Sequence, residues 1–157
     1  MEMSAVISPC EKYRYVLRRV WDSSKPLLTY VLLNPSTADH VEDDATMTRC
    51  IKRSKLLGYG GMVVLNVFAY RTKDPALMKA QADPIGPEND QYLVTELQKA
   101  DCVILGWGGD GNHLGRGAKV IEMLRNAGVQ IKCLALNGDG TPRHPLYLRY
   151  DVQPQLF

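Results

Sequence analysis

No stretch of this chain approaches the ~20 consecutive apolar residues that a membrane-spanning helix needs. The opening Met1-Glu2-Met3 has no secretory leader pattern, so the expected location is the cytoplasm. Cysteine is sparse. Cys10, Cys50, Cys102 and Cys133 show no C-x-x-C spacing, so the sequence carries no zinc-ribbon or iron–sulfur signature, and reduced, mostly buried thiols are expected. There is no G-x-G-x-x-G and no Walker lysine, so neither a dinucleotide nor a P-loop nucleotide is indicated. No metal and no cofactor is expected. Charge of one sign is also scarce. A net +2 from 19 basic and 17 acidic residues does not by itself mark a nucleic-acid binder.

What is present is a regular alternation. The 157 residues suit one domain, 1–157, with 45% hydrophobic residues. Tyr13 to Val20 alternates like an amphipathic strand. Leu27–Leu33, Met62–Leu65, Cys102–Leu105 and Ile131–Leu136 are short apolar runs, as expected of strands buried on both faces. Between them lie helical patterns. One begins at Asp43-Asp44 and ends at Gly58, a short one spans Ala76–Ala80, and others span Glu88–Ala100 and Lys119–Asn126. The predicted fold is a three-layer α/β/α domain with a mainly parallel central sheet and an extra N-terminal antiparallel strand at one edge. No push toward a dimer is visible, and a monomer is expected.

Two segments stand out. Leu32-Leu33-Asn34-Pro35-Ser36 and Arg143-His144-Pro145-Leu146 each come after an apolar run and place a polar side chain before proline. Proline holds the preceding residue extended, and in an open α/β sheet the strand mouths line one crevice where ligands bind. The other strand ends carry Asn66 and Trp107, the latter in Gly106-Trp107-Gly108-Gly109. Each has an ordinary structural reading: Asn34 and Asn66 as turn formers, Trp107 as core and His144 as a surface residue. Arg49, Lys52, Arg53 and Lys55 form a basic cluster that reads either as a solvated helix face or as the footprint of a phosphate backbone.

The order of these motifs resembles the uracil-DNA glycosylase superfamily, as a small, divergent bacterial branch, over roughly residues 27–150. Leu-Leu-Asn-Pro-Ser at 32–36 is similar to the Gly-Ile-Asn-Pro-Gly motif of the mismatch-specific members. Val63-Val64-Leu65-Asn66-Val67, with Arg71 after it, resembles the strand whose terminal Asn reads a flipped base. His144-Pro145-Leu146 resembles a His-Pro-Ser motif. The resemblance implies a glycosylase fold and hydrolysis of an N-glycosidic bond, leaving an abasic site for repair or for defence against modified phage DNA. Asn34 would orient the attacking water and Asn66 would bond the base edge. His144 would donate to the carbonyl of the departing base, with Ser36 and Trp107 beside it. Arg71 and Arg143 would contact duplex or single-stranded DNA, and Leu146 would contact it or wedge into it.

The chain departs from the pattern at Leu32, where the family has glycine, and at Leu146, where it has serine. At Ser36 the uracil-specific members carry a tyrosine that rejects 5-substituted bases. The small serine implies a pocket open at C5 that accepts a 5-substituted pyrimidine such as a modified cytosine. Two further readings remain open at this point: a binding module of the same fold without catalysis, and a nucleoside or nucleotide hydrolase.

Overall fold

The computed structural model describes all 157 residues. A single seven-stranded sheet organises them. Its strands are β1 (Glu2–Ile7), β2 (Arg14–Val20), β3 (Leu27–Leu32), β4 (Gly61–Asn66), β5 (Cys102–Gly106), β6 (Gln130–Cys133) and β7 (Gln155–Leu156). They lie in the order β1-β2-β4-β3-β5-β6-β7. The central four, β4-β3-β5-β6, are parallel, while β1, β2 and β7 run antiparallel to their neighbours. The helices are α1 (Ala45–Leu56), α2 (Pro75–Ala80), α3 (Asn89–Lys99) and α4 (Arg116–Ala127). None is long and apolar enough to cross a membrane.

Strand periodicity of two sorts the core into two layers. Leu28, Tyr30, Leu32, Met62, Val64 and Ile104 face Met47, Cys50 and Ile51 of α1. Val31, Val63, Leu65, Val103 and Leu105 share the opposite layer with Met78, Leu93, Leu97, Val120 and Leu124 of α2, α3 and α4. Helix boundaries obey local chemistry. Asp44 caps α1 by accepting from the Met47 amide, and Gly58, at φ 88°, takes the left-handed conformation just beyond the helix. Asp74 caps α2, with Pro75 in its first turn.

The antiparallel margin differs from the expectation. The Tyr13–Val20 region is not an edge strand, because β1 lies outside β2 and pairs with it from Glu2↔Val20 to Ile7↔Arg14. Two arginines of this strand are accordingly withdrawn from solvent, while Arg18 stays partly exposed. Arg14 is 1% exposed and Arg19 is fully buried. Each guanidinium turns inward to the loop between β3 and α1. Arg14 donates to the Ala38 carbonyl at 3.1 Å. Arg19 donates to the carbonyls of Asp39 and Glu42 and pairs with Asp43 at 2.9 Å. Burial pushes the Arg14 guanidinium down to about 10, still charged at neutral pH. β6 also ends sooner than its apolar pattern, at Cys133. The helix expected from Lys119 begins at Arg116, preceded by 3₁₀ turns from Gly109 that are broken by a kink at His113-Leu114.

Removing a buried partner leaves a charge and several carbonyls uncompensated. Arg19→Ala should therefore lower unfolding free energy by about 3–5 kcal/mol. Arg149→Ala, which deletes an exposed pair with Asp151, should cost about 0–1 kcal/mol. Urea denaturation of the two variants checks the difference.

Candidate functional site

The sheet changes winding direction between β3 and β5. From β3 the chain moves to β4 on one side and then crosses to β5 on the other, and such a switch opens a crevice at the carboxyl ends of the two strands. A cleft of about 620 Å³ occupies this position, a size ordinary for a small-molecule site. The loop after β3 contributes Leu33, Asn34, Ser36, Thr37 and Asp44. The start of α1 contributes Ala45 and Thr46, and the approach to α2 contributes Thr72, Lys73 and Pro75. Trp107 to Asp110 come directly after β5, and His144, Leu146 and Tyr147 come from the C-terminal loop.

Asn34 and His144, 110 positions apart in sequence, thus share one cavity. Asn34 donates its side-chain amide to three carbonyls: Pro35 at 3.2 Å, Tyr70 at 3.2 Å and Thr72 at 2.9 Å. Three acceptors on one side settle which amide atom is nitrogen. The oxygen Oδ1, with no protein donor, is left as an acceptor for the cleft.

His144 is fixed in a complementary way. Its Nδ1 accepts from the Leu146 amide at 3.2 Å in the turn that Pro145 begins. An Nδ1 that accepts cannot carry the proton, so the neutral ring holds hydrogen on Nε2 and is a donor. Burial pushes the His144 pKa below its ordinary value, opposed by the nearby Asp44 carboxylate.

The loop bearing His144 reaches the cleft because Gly106 lets it. A Cβ on Gly106 would lie 2.8 Å from Pro145 Cδ and 3.0 Å from Leu32 Cδ2. The loop is tied further by the Gly108 amide to the Pro142 carbonyl at 2.8 Å and by the Arg143 amide to the Ala135 carbonyl at 2.9 Å. From the other side, α1 holds the chain just beyond this loop. Arg53, 1% exposed, donates to the carbonyls of Leu148, Arg149 and Val152, and Arg49 also donates to Leu148. Asp44 uses both carboxylate oxygens on backbone amides, those of Met47 and Ala38.

The other expected residues divide. Ser36 and Leu146 line the cleft. Trp107 reaches its wall but is only 3% exposed. Its indole packs where a Cβ on Gly111 would approach to 2.1 Å, so it supports the wall and offers little stacking face. Asn66 is not in the lining. It is 2% exposed and its side-chain oxygen has no partner. The physical reason is that pairing continues past the strand end. The amides of Val67, Phe68 and Thr72 donate to the carbonyls of Leu32, Leu33 and Pro35, so the mouth of this strand lies at Thr72-Lys73. Arg71 is also off the cleft, donating to the Glu11 carbonyl at 3.2 Å. Arg143 is exposed outside the lining.

Sequence reasoning missed Tyr147, 80% exposed at the rim. The signal was available, since it lies two residues past Pro145 in the same turn. The hydroxyls of Thr37, Thr46 and Thr72 were not expected at the site and are brought to it by tertiary convergence. Across the rim, Lys79 pairs with Asp110 at 2.6 Å.

An open α/β sheet with a polar cleft at its switch point is the class of protein that these features define. By family, residues 14–146 match the model described as "Protein of unknown function (DUF1643)", and the chain belongs to that family. No curated protein and no solved structure matches it.

The His144 geometry has a pH signature. Its NMR titration midpoint should fall below the ~6.5 of an unperturbed imidazole, with the proton on Nε2 in the neutral ring. Because the folded pKa is lowered, the unfolded chain binds the extra proton first. Stability should therefore decline as pH falls from about 6.5 to the lowered midpoint and level off below it. His144→Ala should flatten that segment of the stability profile.

Proposed function

We propose that the protein is a DNA glycosylase that hydrolyses the N-glycosidic bond of a flipped, 5-substituted pyrimidine. The observation that carries this reading is that one cleft is lined by two preset groups: an acceptor oxygen on Asn34 and an Nε2–H donor on His144. Cleavage of an N-glycosidic bond develops positive charge on the sugar and negative charge on the departing base. A half-buried neutral imidazole donor meets the second need without bringing a full charge into the cleft. The free Oδ1 of Asn34 meets the first by orienting a water for attack at C1′. The fixed tautomer and the three-carbonyl anchor hold both groups before substrate arrives, which is where electrostatic stabilisation is most effective.

Base reading falls to cleft hydroxyls rather than to Asn66. Ser36 and Thr37 are on the wall beside Asn34, and a hydroxyl can serve as donor or acceptor, so it can meet either a cytosine-like or a uracil-like edge. Ser36 leaves room for a substituent at C5. Flipping gives access to the bond, and the exposed Tyr147 at the rim is placed to stack in the vacated gap or on a neighbouring base.

A second reading, a nucleoside hydrolase, is favoured by one observation: Asp44 and Asp110 both face the cleft, where carboxylates disfavour a phosphate backbone and suit a small neutral substrate. The two readings part in one screen. Purified protein is incubated with oligonucleotides carrying uracil, mismatched thymine or 5-substituted cytosines, and separately with the free nucleosides. Alkaline cleavage at abasic sites is read for the oligonucleotides, and released base for the nucleosides. Excision from a 5-substituted oligonucleotide is expected. Release from free nucleosides alone would replace the first reading with the second.

His144→Ala should slow excision by about 10²–10³-fold. Asn34→Ala should abolish it and also cost about 1–3 kcal/mol in stability, because three carbonyls lose their donor. Ser36→Tyr should suppress activity on 5-substituted bases more than on uracil. Efficient cleavage of uracil DNA by the wild type, with every 5-modified pyrimidine ignored, would overturn the substrate assignment.

A further inference from the structure

We propose that the outer face of α1 is a track for a nucleic-acid backbone leading away from the cleft. The proposal rests on the nucleic-acid reading above, which it extends to a second surface. Between Ala45 and Leu56 the helix carries Arg49, Lys52, Arg53 and Lys55 and no acidic residue. The four are not equivalent. Arg53 is buried and spends its donors on the C-terminal carbonyls. Lys52 and Lys55 are exposed and outward, and Arg49, half-buried and donating to the Leu148 carbonyl, lies in line with them; at spacing i, i+3, i+6 the three span about 9 Å along the axis at a rise of ~1.5 Å per residue.

A merely solvated helix face normally interleaves its cations with carboxylates. Here none of the three makes a salt bridge. They lie instead against aromatic rings. Arg49 is 4.4 Å and Lys52 4.5 Å from the centroid of Tyr150, and Lys55 is 5.3 Å from that of Trp21. A cation over a ring keeps its full charge while losing conformational freedom. The neighbouring acid, Asp151, is already paired with Arg149. The face therefore presents fixed, uncompensated positive charge beside flat aromatic surface, the combination that tracks a phosphate backbone and its bases.

Continuity with the cleft sets the direction. Ala45 and Thr46, the first turn of α1, line the cleft, as does Tyr147, three residues before Tyr150. A strand whose base occupies the cleft meets Tyr147 at the rim, then Tyr150 with Arg49 and Lys52, then Lys55 with Trp21. The occupant is a polyanionic strand, favoured over an acidic polypeptide because the cations are interleaved with aromatic rings.

The test is fluorescence anisotropy of the full chain with a labelled, unmodified deoxyadenosine strand of about 20 nucleotides, which contains no pyrimidine, across a series of salt concentrations, with labelled polyglutamate in parallel. For the wild type, log affinity should fall linearly with log salt. In K52E/K55E the slope should become shallower by about 1.4, near 0.7 for each phosphate no longer neutralised, with thermal unfolding unchanged. K52R/K55R should keep the wild-type slope. An unchanged slope in the charge-reversed variant would overturn the track, as would polyglutamate binding that shows the same Lys dependence in the absence of strand binding. Because the strand carries no excisable base, the outcome is independent of the glycosylase screen.

Discussion

Buried guanidinium groups donating to backbone carbonyls are the constraint on which this structure depends. The cleft is built from segments with little regular hydrogen bonding of their own, and such segments expose carbonyls that need donors when they are packed inward. Arg14 and Arg19 supply them to residues 38–42, and Arg53 supplies them to 148–152. Arg116 does the same at the Val67 carbonyl, at 3.1 Å, while pairing with Asp90. A guanidinium suits this task because its planar fork serves several acceptors at once and stays charged when buried. The cost of burying charge is offset by multiple acceptors and, for Arg19 and Arg116, by a carboxylate.

The second constraint is the winding of the sheet. Because β3 is central and its successors lie on both sides, the ends of β3 and β5 cannot be covered by a single connecting loop. The C-terminal loop closes the floor of that opening, crossing β5 at Gly106, where only a hydrogen fits. This places His144 in the same cleft as Asn34. Two residues distant in sequence become partners through strand order and one glycine, with no direct bond between them.

The parallel core was legible because its strands are continuous apolar runs bounded by turn residues, and α1 because its cap and terminal glycine obey simple backbone chemistry. The cleft positions of Asn34 and His144 were legible from their X-Pro context. β1 was not, since Glu2-Met3-Ser4-Ala5-Val6-Ile7 lacks clean alternation and is only half buried. Without β1, β2 reads as an edge, and the polarity of Arg14 and Arg19 signals solvent until their carbonyl partners are known. Asn66 misled for a related reason. The apolar run ends there, but main-chain pairing does not, and pairing beyond a strand end is invisible to side-chain pattern. Tyr147 was within reach of the sequence, two residues past Pro145 in the same turn, whereas the threonines reach the cleft through tertiary convergence that no local spacing encodes.

The Leu146 amide on Nδ1 of His144 makes the imidazole a dead end for protons. A histidine free at both nitrogens can take a proton on one side and release it on the other, linking a site to bulk water. Here one nitrogen is committed to the main chain, and taking up a second proton would break the turn that positions the ring. The residue is thereby suited to polarising what lies in front of it and unsuited to carrying protons in or out. In the glycosylase proposed above, the proton released on water attack would therefore leave by another route, through solvent at the open mouth of the cleft.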